Sequence, residues 1–328
     1  MTFGRISNFM RKVWLAVAGV AVVAGGFALA QETTDEVLRV DVDLVNLLFA
    51  VRDKKGALVG NLEKDEFSVF EDGKQQTIKD FIRETNLPLT LGLLVDVSRS
   101  QESLIEVEKN AAQQFFQKVL KEKDMAFLIS FGMEAELLQD STNSVKLLRT
   151  GLDQLRISAP VSGIMGPGPV PTSKARGTIL YDAIYLAAHE KLRGEVGRKA
   201  VVVITDGVDM GSRYSLSEAI AAAHRADTII YSIYYTDPRY SYFGGGDGEL
   251  KKMSEETGGR MFRVDRKHTL DDIFTQIQEE MRSQYSIIYT PTNSNKDGAF
   301  RKVELRTARK DLKPQVRKGY YATPMSSN

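Results

Sequence analysis

From Pro88 onward, short unbroken apolar runs alternate with stretches of helical periodicity, and this alternation limits the fold more than any other feature of the chain. Leu89 to Val95, Met125 to Phe131, Ala200 to Ile204 and Thr228 to Tyr235 have strand length and read as strands buried on both faces. Between them lie Gln101 to Lys121, Asn143 to Leu155, Ile179 to Leu192 and Leu216 to Ala226, and in the first of these Ile105, Ala112, Phe115, Phe116 and Val119 form one helical stripe. Parallel strands need crossover connections, so the pattern predicts an α/β domain with a mostly parallel, doubly wound (Rossmann-like) sheet and helices on both faces. Residues 134–140 are expected to add one short antiparallel edge strand. Leu250 to Glu256, Arg260 to Val264 and Leu270 to Arg282 continue the pattern to its end near residue 284.

The flanks have β character. Val37 to Val51 is strand-like, Asp53-Lys-Lys-Gly56 is a turn, and Phe67-Ser-Val-Phe70 runs into Glu71-Asp72-Gly73, where an Asp-Gly pair between alternating runs signals a hairpin. Downstream, Tyr285 to Thr290, Phe300 to Thr307 and Val316 to Tyr321 alternate, with Asn293 to Gly298 a turn. About fifty residues make too small a core alone. The expected division is therefore a β segment at 36–86, the α/β domain at 87–284, and a second β segment at 285–322 that pairs with the first into a small β-sandwich.

Residues 1–30 read as a targeting segment. Arg5, Arg11 and Lys12 precede an apolar run from Val13 to Phe27, and Ala28-Leu29-Ala30 supplies a small-x-small cleavage pattern. The expectation is a cleaved secretory signal peptide, with an uncleaved membrane anchor as the alternative; either places the folded part outside the cytoplasm, periplasmic or secreted. Lys and Arg total 44 against 43 Asp and Glu, which favours no nucleic-acid surface, and the absence of cysteine excludes disulfides, thiolate metal sites and a cysteine nucleophile.

Asp96-Val-Ser98-Arg-Ser100 follows the first buried strand, and Thr205-Asp206-Gly207 follows the Ala200 to Ile204 strand. Ligand sites in open α/β sheets form outside the carboxyl ends of strands, which puts both fragments at one edge. Gly177-Thr178 opens the helix after a Pro/Gly-rich stretch at 156–177 and can reach the same edge. Two carboxylates and three hydroxyls (Asp96, Ser98, Ser100, Thr178, Asp206) suit a hard divalent cation, Mg²⁺ first, with Mn²⁺ or Ca²⁺ as alternatives. Each fragment also has an ordinary reading. Ser100 or Ser103 could cap the next helix, Ser103 with Glu106 as a capping box; Thr178 could be a cap; Asp206-Gly207 could be a plain turn.

Asp96-x-Ser98-x-Ser100, Gly177-Thr178 with Leu180-Tyr-Asp-Ala183, and Thr205-Asp206-Gly207 resemble the metal-ion-dependent adhesion site of the von Willebrand factor type A domain. Val69-Phe-Glu-Asp-Gly-Lys74, Gln284-Tyr285 and Gly319-Tyr320-Tyr321 resemble the flanks of bacterial secreted proteins related to that domain. The resemblance implies that the five residues hold the metal and that a protein ligand completes its coordination with an acidic side chain. Asp182 and Asp209 lie nearby and are not assigned as ligands. An alternative is a structural subunit of an envelope assembly in which the metal only stabilises loops.

Catalytic patterns are missing. Asp96-x-Ser98 lacks the second aspartate of a phosphatase pair, and Phe243-Gly-Gly-Gly-Asp-Gly248 lacks the Gly-Lys-Ser/Thr ending of a phosphate loop. His189-Glu190 is followed by Arg193 where a zinc protease needs histidine. His189, His224 and His268 share no ligand spacing and read as helix-surface or loop residues, and no enzymatic role is expected. Tyr240, Tyr242 and Phe243, in a glycine-rich loop after a strand end, suit either local packing or a partner contact.

Overall fold

The computed structural model describes residues 44–84, 87–158, 177–237, 239 and 245–323. The targeting segment, the start of the Val37 strand, most of the 156–177 stretch, and Tyr240, Tyr242 and Phe243 lie outside the described residues. The chain begins with strand β1 (Val45–Asp53), turns at Gly56, and makes the hairpin of β2 (Phe67–Glu71) and β3 (Lys74–Gln76). Asp72 and Gly73 both have positive φ, 47° and 81°, the conformation that a two-residue hairpin needs to follow strand twist. Strand β4 (Ile78–Glu84) then leads into the α/β part.

That part runs β5 (Leu89–Asp96), α1 (Ile105–Val119), β6 (Met125–Phe131), β7 (Ala135–Thr142), α2 (Val145–Leu152), α3 (Leu180–Leu186, extended by a π-helical segment to Leu192), β8 (Arg198–Thr205), α4 (Leu216–Arg225), β9 (Thr228–Tyr234), α5 (Asp247–Thr257), β10 (Met261–Arg263) and α6 (Leu270–Arg282). Its six-stranded sheet has the order β10-β9-β8-β5-β6-β7, parallel throughout except for β7. Alternate residues of each strand face opposite helical layers. Leu91, Leu93, Val95, Val202 and Ile204 pack against α1, α2 and α6, where Phe115 stacks on Phe274 at 4.3 Å. Leu94, Val201 and Val203 pack against α3, α4 and α5. At Gly92 a Cβ would lie 2.4 Å from the Phe127 ring, so the missing side chain is what lets β6 bury that ring. Tyr231 and Tyr234 are buried in β9.

After α6 come β11 (Gln284–Tyr289), β12 (Phe300–Thr307), β13 (Leu312–Val316) and β14 (Gly319–Tyr321). Both flanks together build two four-stranded sheets, β13-β1-β11-β4 and β14-β12-β2-β3, over one core that includes Leu47, Phe49, Val69, Tyr285 and Ile287. Glu71 is buried and accepts hydrogen bonds from Tyr289 Oη (2.7 Å), across from the other sheet, and from Tyr320 Oη (2.8 Å). The strand entering the α/β part, β4, pairs directly with the strand leaving it, β11. The α/β part is thus an insertion between two neighbouring strands of the sandwich, which needs only that its two ends lie close together.

One stretch departs from expectation. Val316 to Tyr321 reads as a single strand in sequence, yet β13 and β14 belong to opposite sheets and the chain crosses between them at Arg317 and Lys318. Pro314 masks the start of β13, but β13 is an edge strand, where a missing N–H donor is tolerated.

Candidate metal centre

Strands β5 and β8 are neighbours, with Val95 in register with Ile204. From β5 the chain crosses to β6 on one side, and from β8 to β9 on the other. The crevice beyond their carboxyl ends is therefore the topological switch point of the sheet, the place where such folds bind ligands. The loops that follow these two strands are Asp96 to Ser100 and Thr205 to Gly207.

The side chains there form one connected network. Asp96 is fully buried; its Oδ1 accepts from the Ser98 backbone N–H at 2.8 Å and its Oδ2 from Thr205 Oγ1 at 2.6 Å. Ser98 Oγ and Ser100 Oγ lie 3.0 Å apart, and Ser100 Oγ donates to Asp206 Oδ2 at 2.6 Å. The Asp206 turn is fixed by the Val208 N–H on Oδ1 (3.1 Å) and by the Gly207 N–H on Thr205 Oγ1 (3.0 Å). Gly207 has φ +79°, and a Cβ on it would sit 2.7 Å from the Gly246 carbonyl oxygen, so only glycine lets the two loops meet.

Thr178 is held by backbone. Its carbonyl accepts from the Met210 N–H (2.9 Å), and the adjacent Ile179 N–H donates to Gly132 O after β6 (2.9 Å). Among the described residues its hydroxyl makes no hydrogen bond to the other four side chains, so Asp96, Ser98, Ser100 and Asp206 are joined and Thr178 is not. Nor does it cap α3, whose N-cap is Ile179. Ser103 does not cap α1 either; its hydroxyl bonds Asp237, and α1 begins at Ile105. Asp182 and Asp209 brace the loop after β8. Asp182 Oδ1 accepts from the Arg213 and Tyr214 N–H groups (2.7 and 3.0 Å), and Asp209 Oδ1 accepts from Ser212 Oγ (2.5 Å) and the Tyr181 N–H (3.2 Å).

Burial pushes the Asp96 carboxyl up to about 7, and the neighbouring Asp206 charge adds to the rise against hydrogen bonds from Thr205 and Ser98. Behind Asp96 stands Glu108 of α1, 1% exposed, with neither carboxylate oxygen hydrogen-bonded among the described residues. Burial first, then the Asp96 charge, raises it well above the usual carboxylate range. Sequence reasoning missed Glu108, although it occupies the apolar stripe of α1 between Ile105 and Ala112, and a carboxylate in such a stripe is the signal. It also missed Thr205 as the partner of Asp96, and it misplaced His224, which is buried against Phe300 and Tyr321 rather than on a helix surface. His189 is half-buried and His268 exposed, and they pair with Glu190 and Asp265.

The donors at this edge fit a hard cation. All are oxygens, and among the described residues no Lys or Arg hydrogen-bonds either of the two carboxylates. Among the described residues no three His, Asp or Glu side chains gather to hold a metal. Hydroxyls and water would have to complete any coordination shell around Asp96 and Asp206.

No protein-family model and no curated protein sequence matches the chain. Among solved structures it is similar to the conserved hypothetical protein BatB from Bacteroides thetaiotaomicron, at 18% identity over 59% of this chain and 97% of that one, with a TM-score of 0.42. It is similar to the von Willebrand factor domain of the type V pili tip protein Mfa5 from Porphyromonas gingivalis, at 12% identity over 60% and 96%, TM-score 0.45. A third likeness is to proximal thread matrix protein 1 from the mussel byssus with a zinc-occupied MIDAS motif, at 14% identity over 65% and 50%, TM-score 0.45. Values this low transfer neither fold nor ligand to this chain.

Proposed function

We propose that the chain is an extracytoplasmic binding module of the von Willebrand factor type A kind that recognises a protein partner through one divalent cation, Mg²⁺ first. The observation that carries this reading is the network linking Asp96, Ser98, Ser100 and Asp206 from two separate loops at the switch point. Asp96 and Asp206 supply negative charge, Ser98 and Ser100 supply hydroxyl oxygens, and Thr178 supplies a third hydroxyl from the α3 side. A bound cation would offset the burial of Asp96 and offer an acidic partner side chain an open coordination position. Asp182, Asp209 and Gly207 keep the loops in place. The extracytoplasmic assignment rests on the segment at 1–30; among the described residues no helix is long and apolar enough to cross a membrane. The role is binding rather than catalysis.

Calorimetric titration of the protein with Mg²⁺ and Mn²⁺ tests the reading. One site is expected, and the double substitution Asp96→Ala with Asp206→Ala should weaken it by at least about a hundredfold, since each buried charged contact is worth roughly 1.5–3 kcal/mol. Undetectable binding by the unsubstituted chain, or equal binding by the double variant, overturns it.

A further inference from the structure

At the opposite end of the sheet, where β8 and β9 begin, a cleft of about 670 Å³ opens between the α/β part and the sandwich. A strand rises roughly 3.3 Å per residue, so the start of β8 lies about 20 Å from the acidic edge. The volume is that of a small-molecule site.

The lining is basic. Lys199, the second residue of β8, is 8% exposed, and among the described residues no carboxylate comes within ion-pair distance of its ammonium. Asp227 and Glu195 act on it only from farther away, and Asp227 is already paired with Arg317. Burial accordingly pulls the Lys199 ammonium below its ordinary value. Arg225 lies over the Tyr321 ring at 4.1 Å and likewise has no carboxylate partner among the described residues. His224 Nε2, on the same wall, is buried without a hydrogen-bond partner among the described residues. A mostly buried lysine without a carboxylate beside it and a buried ring nitrogen without a partner among the described residues both cost stability, and an anion can serve both. The rim is apolar, with Val196 82% and Leu44 56% exposed.

We infer that this cleft binds a small amphipathic anion, its carboxylate, phosphate or sulfonate head on Lys199 and Arg225 and its apolar body along Val196 and Leu44. Such a site is independent of the metal centre and does not rest on it.

The test is a fluorescence titration of the full chain with 1-anilinonaphthalene-8-sulfonate, an anion with an apolar body. Saturable binding is expected at one site. Lys199→Met, which keeps the length of the side chain, should weaken it about tenfold, the worth of one charge-assisted contact. Arg225→Gln, at an exposed position whose loss leaves the core intact, should weaken it severalfold and covers the case in which Lys199→Met does not fold. Inorganic phosphate should compete. Absence of saturable binding, undiminished affinity in Arg225→Gln together with any folded Lys199→Met, or failure of phosphate to compete overturns the inference.

Discussion

The two ends of the central sheet carry opposite chemistry. At the carboxyl ends of β5 and β8, Asp96, Asp206 and, behind them, Glu108 crowd carboxyl groups together, with the Ser100 and Thr205 hydroxyls and backbone N–H groups as donors to the two aspartates. At the amino ends, Lys199, Arg225, Arg317 and His224 face a cleft closed by the sandwich. The parallel arrangement is what separates them, because β5, β6, β8, β9 and β10 all start at one end and finish at the other. Among the described residues the acidic end is built by the loops after β5 and β8. The basic end is where the inserted domain joins its host, so its charges serve a junction as well as a cleft. Disturbing the junction should cost global stability, while changes at the acidic edge should act locally.

The largest effect is expected at Glu280 of α6. It is fully buried and joined to Arg52 of β1, to Arg260 ahead of β10 (3.5 Å) and to Gln315 Nε2 of β13 (2.6 Å), so that one carboxylate holds the sandwich and the α/β part together. Glu280→Ala leaves two guanidinium groups without their charge partner and should cost about 3–5 kcal/mol in denaturant unfolding. Equal stability of the variant would show that the junction does not depend on this carboxylate, and the proposed difference between the two ends would lose its main support.

Next in size is a pH effect at the same junction. Burial, with the Arg317 charge adding to it, holds His224 down at about 4 from 6.5, against a smaller upward pull from Asp227. As pH falls below 6.5 the unfolded chain takes up this proton while the folded chain does not until about 4. The contribution to stability is therefore complete above 6.5, falls between 6.5 and 4, and is lost below, at up to about 3 kcal/mol. The stability difference between the unsubstituted chain and His224→Phe, followed by urea unfolding from pH 7 to 4, should shift towards the variant over that window. A difference that stays constant with pH removes His224 from the account.

Much of this was legible in the sequence, and the misses have physical causes. Strands of a parallel sheet are buried on both faces, so their unbroken apolar runs announced the sheet, and the ends of those runs located Asp96 and Asp206. The Asp72-Gly73 turn was readable because so few residue pairs adopt positive φ twice. Sequence spacing fixes which edge a residue reaches but not what it touches: Thr178 arrives at the α3 side without joining the hydrogen-bonded network, and Ser103 bonds Asp237 instead of capping a helix. β13 and β14 were read as one strand because alternation continues across the point where the chain changes sheets. His224 looked like a surface residue because helical periodicity shows only the face turned to the sheet, and the sandwich covers a second face.

The smallest expected effect has the opposite sign and lies at the acidic edge. Glu108 is a carboxylate in a hydrophobic stripe with no hydrogen-bond partner among the described residues, and Asp96 adds negative charge nearby. A buried polar group without a partner costs roughly 1–3 kcal/mol, part of which its protonation recovers. Glu108→Leu should therefore stabilise the fold by about 1 kcal/mol, by exchanging that group for an apolar one of similar volume. Glu108→Gln, which keeps the unmet hydrogen-bonding capacity, should gain nothing. Thermal unfolding of the two variants decides it. If Leu destabilises and Gln does not, Glu108 has a polar partner, and the acidic edge is as firmly tied into the fold as the basic junction is.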